Sequence, residues 1–143
     1  MSLGRSMPGR GVRAWRSSPP GRGGVAIIDL DADSEASLEL LLRAVSPGDV
    51  GSNASLAHRR IAGIDDGIVA RIDATHAQLM PHGGPLLVRR IAEALRAMDV
   101  AWLEEPPIGV RPEAADPIEA AMIDALATAS SPAAIPILLA QPA

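Results

Sequence analysis

The residues best suited to chemistry lie in two glycine-rich turns, of which the first, PPGRGG, spans residues 19–24. Its prolines cannot donate backbone hydrogen bonds, and its glycines allow turn conformations that leave backbone amides exposed. An anion could therefore bind over Gly23 and Gly24 with Arg22 beside it. An arginine in a solvated loop fits the same pattern equally well, so both interpretations stay open.

The second turn, HGGP, spans residues 82–85. His82 could hydrogen-bond a ligand beside Gly83 and Gly84, because imidazole can donate or accept. The competing interpretation is a histidine that caps the backbone of its own turn. His82 could also join His76 and Asp73 at a metal ion, but the spacing matches no compact zinc pattern, so we predict no metal.

Several reaction classes are excluded by composition. All 13 basic residues are arginine, so a lysine-containing phosphate-binding loop and a Schiff-base lysine are both ruled out. The absence of cysteine removes disulfides, thiolate metal sites and cysteine nucleophiles. Because no Ser/His/Asp arrangement is evident either, the sequence predicts no catalytic residue and no independent enzymatic activity.

Charge is unevenly distributed along the chain. Residues 1–24 contain five arginines and no acid, whereas the remaining residues contain eight arginines and 17 acids. A basic arm could contact phosphate groups, but two tryptophans are the only aromatic residues available to stack on bases. We therefore expect a flexible leader rather than direct nucleic-acid binding. No apolar run is long enough for a membrane span, and we expect a cytoplasmic protein.

Hydrophobic periodicity predicts strands and a helix around the first turn. Residues 12–17 and the apolar run at residues 25–30 read as strands on either side of PPGRGG. A helix should begin at Asp33 or Ser34, which are both good N-caps, and end before Pro47. Its apolar residues share one face, at Leu38, Leu41, Leu42 and Val45.

The second half continues this pattern up to residue 103. We predict further strands at residues 54–61, 68–72, 77–80 and 100–103, with an Asp-Gly hairpin turn at residues 65–67. Pro85 should lie in the first turn of a helix whose buried face carries Leu87, Ile91, Leu95 and Met98. Prolines then break the chain before an alanine-rich helix at residues 118–129, and we assign no element to residues 135–140.

Together these elements predict an α+β fold in which helices pack on a small mixed sheet. With 143 residues, the chain is long enough for one domain with a core and too short for two ordinary ones. Since Phe and Tyr are absent, aliphatic residues and methionine must fill that core. We divide the chain into a flexible arginine-rich arm at residues 1–11, a main domain at residues 12–104, and a proline-broken extension with one helix at residues 105–143.

The order of the turns and elements resembles the N-terminal domain of the bacterial tRNA-modification GTPases, the MnmE or TrmE family. That family's T-P-P-G-x-G-G-V-x-I-I signature is matched by residues 18–28, SPPGRGGVAII. Its I-D-x-G/V hairpin is matched by residues 64–67, and its H-G-G-P-x-x-x-x-x-I helix start by residues 82–91. The resemblance covers residues 12–103, and residues 119–124 loosely echo a further Q-A-E-A-x-x-D stretch.

The resemblance implies a fold related to the folate-binding domains of one-carbon enzymes. It implies a homodimer that binds a 5-formyl-tetrahydrofolate-type cofactor near the dimer interface, and a partnership with the machinery that modifies wobble uridines of tRNA. The family's GTPase motif, GxxxxGK[ST], does not occur in this sequence. A ligand would lie between the two turns, and the candidate binding residues are Arg22, Gly23, Gly24, Asp29, Gln78, His82, Gly83 and Gly84.

Two of these candidate positions depart from the family pattern. In the family, the position of Asp29 carries an arginine that contacts the folate, so the charge at this position is reversed here. The position of Gln78 carries a glutamate suited to the pterin edge, so the glutamine keeps the hydrogen-bonding shape but loses the charge. The family's S-x-T-G-E-D loop is shortened between residues 72 and 77, and its R-A-F-L-N-G-K segment is missing between residues 103 and 118. The turn glycines are therefore kept while the ligand-facing polar residues change.

Three functional hypotheses of different kinds follow. The first is a non-catalytic binding and dimerisation module that acts in or beside tRNA modification with a folate-like ligand. The second is a degenerate relative that uses the same surface only for self-association or a protein partner. The third, an independent enzyme, would require a buried carboxylate and His82 to converge in a cavity.

Overall fold

The structure is a computed structural model that describes residues 7–49, 51–111 and 114–128, with residues 136 and 140 besides. The chain divides into two compact units, Met1–Glu105 and Pro106–Ala143. Within the described ranges the first unit contains six strands and two helices, and the second contains one helix. The predicted α+β class, a mixed sheet with packed helices, is therefore confirmed. None of these helices is long and apolar enough to cross a membrane.

The predicted strands and helices are present, with small shifts at their ends. The strands are β1 (Val12–Arg16), β2 (Ile28–Ala32), β3 (Ser55–Ile61), β4 (Asp65–Arg71), β5 (His76–Met80) and β6 (Ala101–Leu103). The helices are α1 (Glu35–Val45), α2 (Pro85–Ala97) and α3 (Pro117–Thr128). Ala129, where we predict α3 to end, and most of the unassigned stretch at residues 135–140 lie outside the described residues.

A single six-stranded sheet organises the first unit, in the order β3-β4-β5-β2-β1-β6. Only β1 and β6 pair in parallel, and α2 lies in the connection that leads from β5 to β6. Alternate residues of a strand point to opposite faces, so that one face of this sheet packs with α1 and α2 to form the core. The sheet contributes to that core Val12, Ala14, Ile28, Leu30, Ala32, Ile61, Val69, Ala77 and Leu79.

Helix α1 follows the sequence prediction closely. Ser34 is its N-cap, and the hydroxyl of that residue accepts a hydrogen bond from the N–H of Ser37 at 3.2 Å. Glu35 in the first turn and Arg43 in the last turn both complement the helix dipole. The four predicted apolar positions, Leu38, Leu41, Leu42 and Val45, are all buried.

Helix α2 begins at the predicted proline but presents a slightly rotated face. Gly84 is the N-cap and Pro85 occupies the first turn. Ile91 and Leu95 are fully buried as predicted, whereas Leu87 and Met98 are only partly buried. Val88 and Ala92 complete the buried face instead, because the helical period of 3.6 residues turns an i, i+4 stripe away from the core.

The predicted hairpin turn at residues 65–67 is wrong. Asp65, Asp66 and Gly67 belong to β4, and the turn lies at residues 62–64. Ala62 and Gly63 both have positive φ, 51° and 67°, and the N–H of Ile64 donates to the carbonyl of Ile61 at 2.9 Å. The N–H of Ala62 also donates to the carbonyl of Val45 at the end of α1, so a tertiary contact helps to place the turn.

Residues 7–11 lie before β1 and contact the same unit. The N–H of Gly9 donates to the carbonyl of Met98 at 2.7 Å, and a Cβ on Gly9 would collide with Val100. The carbonyl of Gly11 accepts a hydrogen bond from the N–H of Asp33 at 2.9 Å. This part of the predicted arm therefore packs against the end of α2 and the segment before α1.

Candidate functional site

The two glycine turns lie against each other, although they are distant in sequence. Val25, directly after PPGRGG, forms an antiparallel bridge with His82. The N–H of Ala26 donates to the carbonyl of Pro81 at 2.9 Å, and the N–H of Gly83 donates to the carbonyl of Gly24 at 3.2 Å. The structure thus brings together the two motifs that the sequence analysis assigned to one site.

The turns approach most closely at Gly83 and Gly23. Gly83 is buried, and a Cβ atom on it would collide with the carbonyl group of Gly23. By contrast, the first atom that a Cβ on the exposed Gly84 would meet is the Cβ of Leu87, at 3.9 Å. Close backbone packing therefore requires glycine at position 83. Backbone atoms, rather than a cavity, occupy the space between the turns at this point.

The PPGRGG turn is anchored at its start and exposed at its tip. The hydroxyl of Ser18 accepts hydrogen bonds from the N–H of Ile27 at 3.0 Å and from Nε of Arg16 at 3.1 Å, which closes the base of the loop. Gly21 has a φ of 118°, a conformation that glycine adopts without strain. Arg22, Gly23 and Gly24 are all exposed, so the predicted anion-binding residues lie on the surface of the turn.

Asp65 holds His82 in place. The N–H of His82 donates to the Asp65 carboxylate at 2.9 Å, and Nδ1 of the ring lies 3.0 and 3.1 Å from the two carboxylate oxygens. The Asp65 side chain is 15% exposed, whereas that of His82 is 72% exposed. The imidazole is therefore tethered to β4 on one side and open to solvent on the other.

The contact with His82 also affects the acidity of Asp65. Partial burial by itself would raise the pKa of this carboxyl. Hydrogen bonds from the backbone N–H and the ring of His82, together with the attraction between the two side chains, outweigh burial, and the pKa of Asp65 is lowered. Asp65 is consequently ionised at neutral pH.

Asp29 and Gln78, the two positions that depart from the family pattern, face each other directly across β2 and β5. Nε2 of Gln78 donates to Oδ1 of Asp29 at 2.9 Å, and the hydroxyl of Ser17 donates to Oδ2. Asp29 is only 6% exposed. The two side chains therefore bind each other on the sheet face opposite α1 and α2, in a cross-sheet row with Trp15 and Ala70.

A second histidine network lies on the same sheet face, at the other end of β2. Nε2 of His76 is 2.9 Å from Asp31, Nδ1 is 3.2 Å from Asp73, and Asp31 also contacts Nε of Arg13 at 2.5 Å. Partial burial would raise the pKa of Asp73, but hydrogen bonds from Thr75 and His76 lower it. His76 and Asp73 thus meet, whereas His82 is held by a different carboxylate. Among the described residues, no group of three or more His, Cys, Asp or Glu could hold a metal ion.

A surface cleft of about 410 Å³ lies at the start of β1, away from the predicted ligand-binding residues. It is lined by residues that include Arg10, Arg13, Asp31, Asp33 and Asp99, but by no residue of either glycine turn. Asp99 has a φ of 73°, which is the left-handed conformation common just after a helix end. The cleft is lined by both acidic and basic side chains, and it lies apart from the candidate site.

Sequence reasoning missed two residues that support the candidate side chains. The sequence pattern predicts a hairpin turn at Asp65, and it indicates no more for Ser17 than the end of a strand. Their partners, His82 and Asp29, are 17 and 12 residues away along the chain. No local pattern indicates such pairs, because strand pairing and register create them.

Neither the models of known protein families nor the curated proteins contain a match to this chain. The resemblance to the tRNA-modification GTPases accordingly rests on the residues of the two turns and the elements between them.

Proposed function

We propose that this chain is a non-catalytic binding and dimerisation module, related to the N-terminal domain of the tRNA-modification GTPases of the MnmE or TrmE family. The observation that carries the proposal is the contact between Gly23 and Gly83. Each glycine lies in one of the two family signatures, and the signatures meet backbone to backbone. Each motif alone has modest specificity for the family, but in this chain the two motifs are parts of one structural unit.

Dimerisation is supported by an exposed apolar patch beside the edge of the sheet. β3 is one of the two edge strands of this sheet, and its Leu56 is 74% exposed. Ile68 on β4 is 41% exposed and lies next to Met80 on the same sheet face. An edge strand flanked by exposed apolar side chains favours association with another chain. We therefore place the interface between two copies at the apolar patch of Leu56, Ile68 and Met80.

The ligand that we propose is folate-like, with altered recognition at positions 29 and 78. In the family these positions carry an arginine and a glutamate, whereas here an aspartate accepts a hydrogen bond from a glutamine. Donor and acceptor have thus exchanged places within one cross-strand pair. A ligand that bound to this pair would meet an acceptor at Asp29 where the family offers a donor. We propose that the module acts in the cytoplasm, in or beside the machinery that modifies tRNA.

Thermal unfolding in the presence of 5-formyl-tetrahydrofolate tests the ligand. A ligand that binds only the folded state raises stability by about 2.7 kcal/mol at 100 times its Kd, and the midpoint rises with ligand concentration. The matched control is the double variant Asp29→Arg/Gln78→Glu, which restores the family's pair. A rise for the native chain supports the folate proposal, and no rise at millimolar ligand for either protein contradicts it.

A second candidate function is a protein-interaction module without a small ligand. The observation that favours it is that Asp29 and Gln78 bind each other and that Asp29 is buried. Side chains whose hydrogen-bonding groups are already paired with each other gain less from binding a ligand. Self-association without any thermal response to the folate, in the native chain, would favour this candidate over the first.

A further inference from the structure

The three histidines of the chain have different surroundings. His58 lies exposed on β3, and within the described part of the chain its ring has no hydrogen-bond partner. Both ring nitrogens of His76 face carboxylates, at 2.9 and 3.2 Å. His82 combines the two situations, because a carboxylate holds Nδ1 while the side chain remains 72% exposed. Within the part of the chain that the structure describes, His82 alone has one ring nitrogen fixed by a carboxylate while its side chain stays largely exposed.

The Asp65 contact fixes the tautomer of His82. An ionised carboxylate only accepts hydrogen bonds, so Nδ1 must carry the proton that lies between the ring and Asp65. The lowered pKa of Asp65 keeps that carboxylate ionised at neutral pH. In the neutral ring Nε2 then bears the lone pair. A carboxylate behind Nδ1 also fixes the orientation of the ring, as it does for histidines that bind metals.

We propose that Nε2 of His82 is a nucleophile that accepts a phosphoryl group from small phosphoryl donors. The lone pair of Nε2 attacks phosphorus, the N–P bond forms, and the bond from phosphorus to the leaving group breaks. With phosphoramidate as donor, the departing group is ammonia, which takes the electrons of the broken P–N bond. The ring keeps its Nδ1 proton, and the positive charge that develops on it is stabilised by Asp65.

The position of His82 suits a phosphoryl product. The residue lies two positions before Gly84, the N-cap of α2, where no side chain among the described residues caps the first helical amides. Added negative charge is favourable near a helix N-terminus. The Asp65–His82 geometry by itself makes Nε2 reactive, and the helix N-terminus adds to this effect.

Reaction of the full chain with phosphoramidate tests the proposal. Intact mass reports the number of phosphoryl groups added, and peptide mapping assigns each group to His58, His76 or His82. Phosphorus NMR distinguishes modification at Nε2 from modification at Nδ1. We expect His82 to react at Nε2 about ten times faster than His58, with His76 slowest because both its nitrogens are engaged.

The variant Asp65→Asn tests the role of the carboxylate. Its amide oxygen can still accept the backbone N–H of His82, so the turn keeps one of its bonds. We expect the rate at His82 to fall about ten-fold, to that of His58. If Asp65→Asn does not fold, nitrogen NMR of the native chain replaces it and should show Nδ1 protonated and Nε2 unprotonated. Equal rates at His58 and His82, modification at Nδ1, or the opposite tautomer would overturn the proposal.

Discussion

The side-chain amide of Gln78 donates a 2.9 Å hydrogen bond to the buried carboxylate of Asp29, its direct partner across β2 and β5. Two positions that look independent in the sequence are thus one interacting pair. A buried carboxylate is accommodated at position 29 because position 78 supplies a hydrogen-bond donor.

This pairing predicts strong coupling between positions 29 and 78. Asp29→Arg should destabilise the fold by about 3 kcal/mol, because the donors of Ser17 and Gln78 then face a buried cation. Gln78→Glu should cost about 2 kcal/mol, since two carboxylates would meet. The double variant should recover about 1 kcal/mol or more of the summed loss, measured by denaturant unfolding. Strictly additive losses would contradict the direct pairing.

The contact between the turns predicts opposite effects at neighbouring glycines. Gly83→Ala should lower the free energy of unfolding by about 2 kcal/mol, because its Cβ would collide with Gly23. Gly84→Ala, where the new methyl group has room, should change the stability by about 0.5 kcal/mol or less. Denaturant unfolding of both variants checks this. Similar losses at both positions would show that the turns do not meet at Gly83.

The lowered pKa of Asp65 predicts a defined acid dependence of stability. Because the pKa of Asp65 in the folded state lies below its ordinary unfolded value, the stabilisation is present above the unfolded pKa and is lost as the pH falls through the folded pKa. Asp65→Asn should therefore flatten the fall in stability as the pH drops below about 5. The exposed Asp66, whose pair with Arg60 is 3.3 Å long, serves as control. An unchanged pH profile in Asp65→Asn would contradict the assigned role of His82.

Local sequence signals predicted the helices well. Ser34 has the side chain that an N-cap needs, and the spacing from Leu38 to Val45 defines one helical face without reference to the rest of the fold. Pro85 likewise marks the start of α2. These features depend on neighbours along the chain, which is why they could be predicted from it.

Features that depend on tertiary contacts were missed. The Asp-Gly pair favours a turn at residues 65–67, but the turn lies at residues 62–64. There Ala62 has a positive φ of 51°, and its N–H donates a hydrogen bond to the end of α1. The sequence alone places Gln78 near the HGGP turn, yet its contact with Asp29 depends on β2 pairing with β5. Such register is set by the whole sheet, and no local pattern contains it.

Sedimentation velocity over a wide range of protein concentration tests the proposed dimerisation. We expect a dimer for the native chain, and a monomer when Leu56→Arg or Ile68→Arg places a charge in the apolar patch. Leu40→Arg is the matched control, because Leu40 on α1 is 47% exposed and lies outside the patch; this variant should remain a dimer. A native chain that sediments as a monomer at every concentration would contradict the proposed dimerisation module.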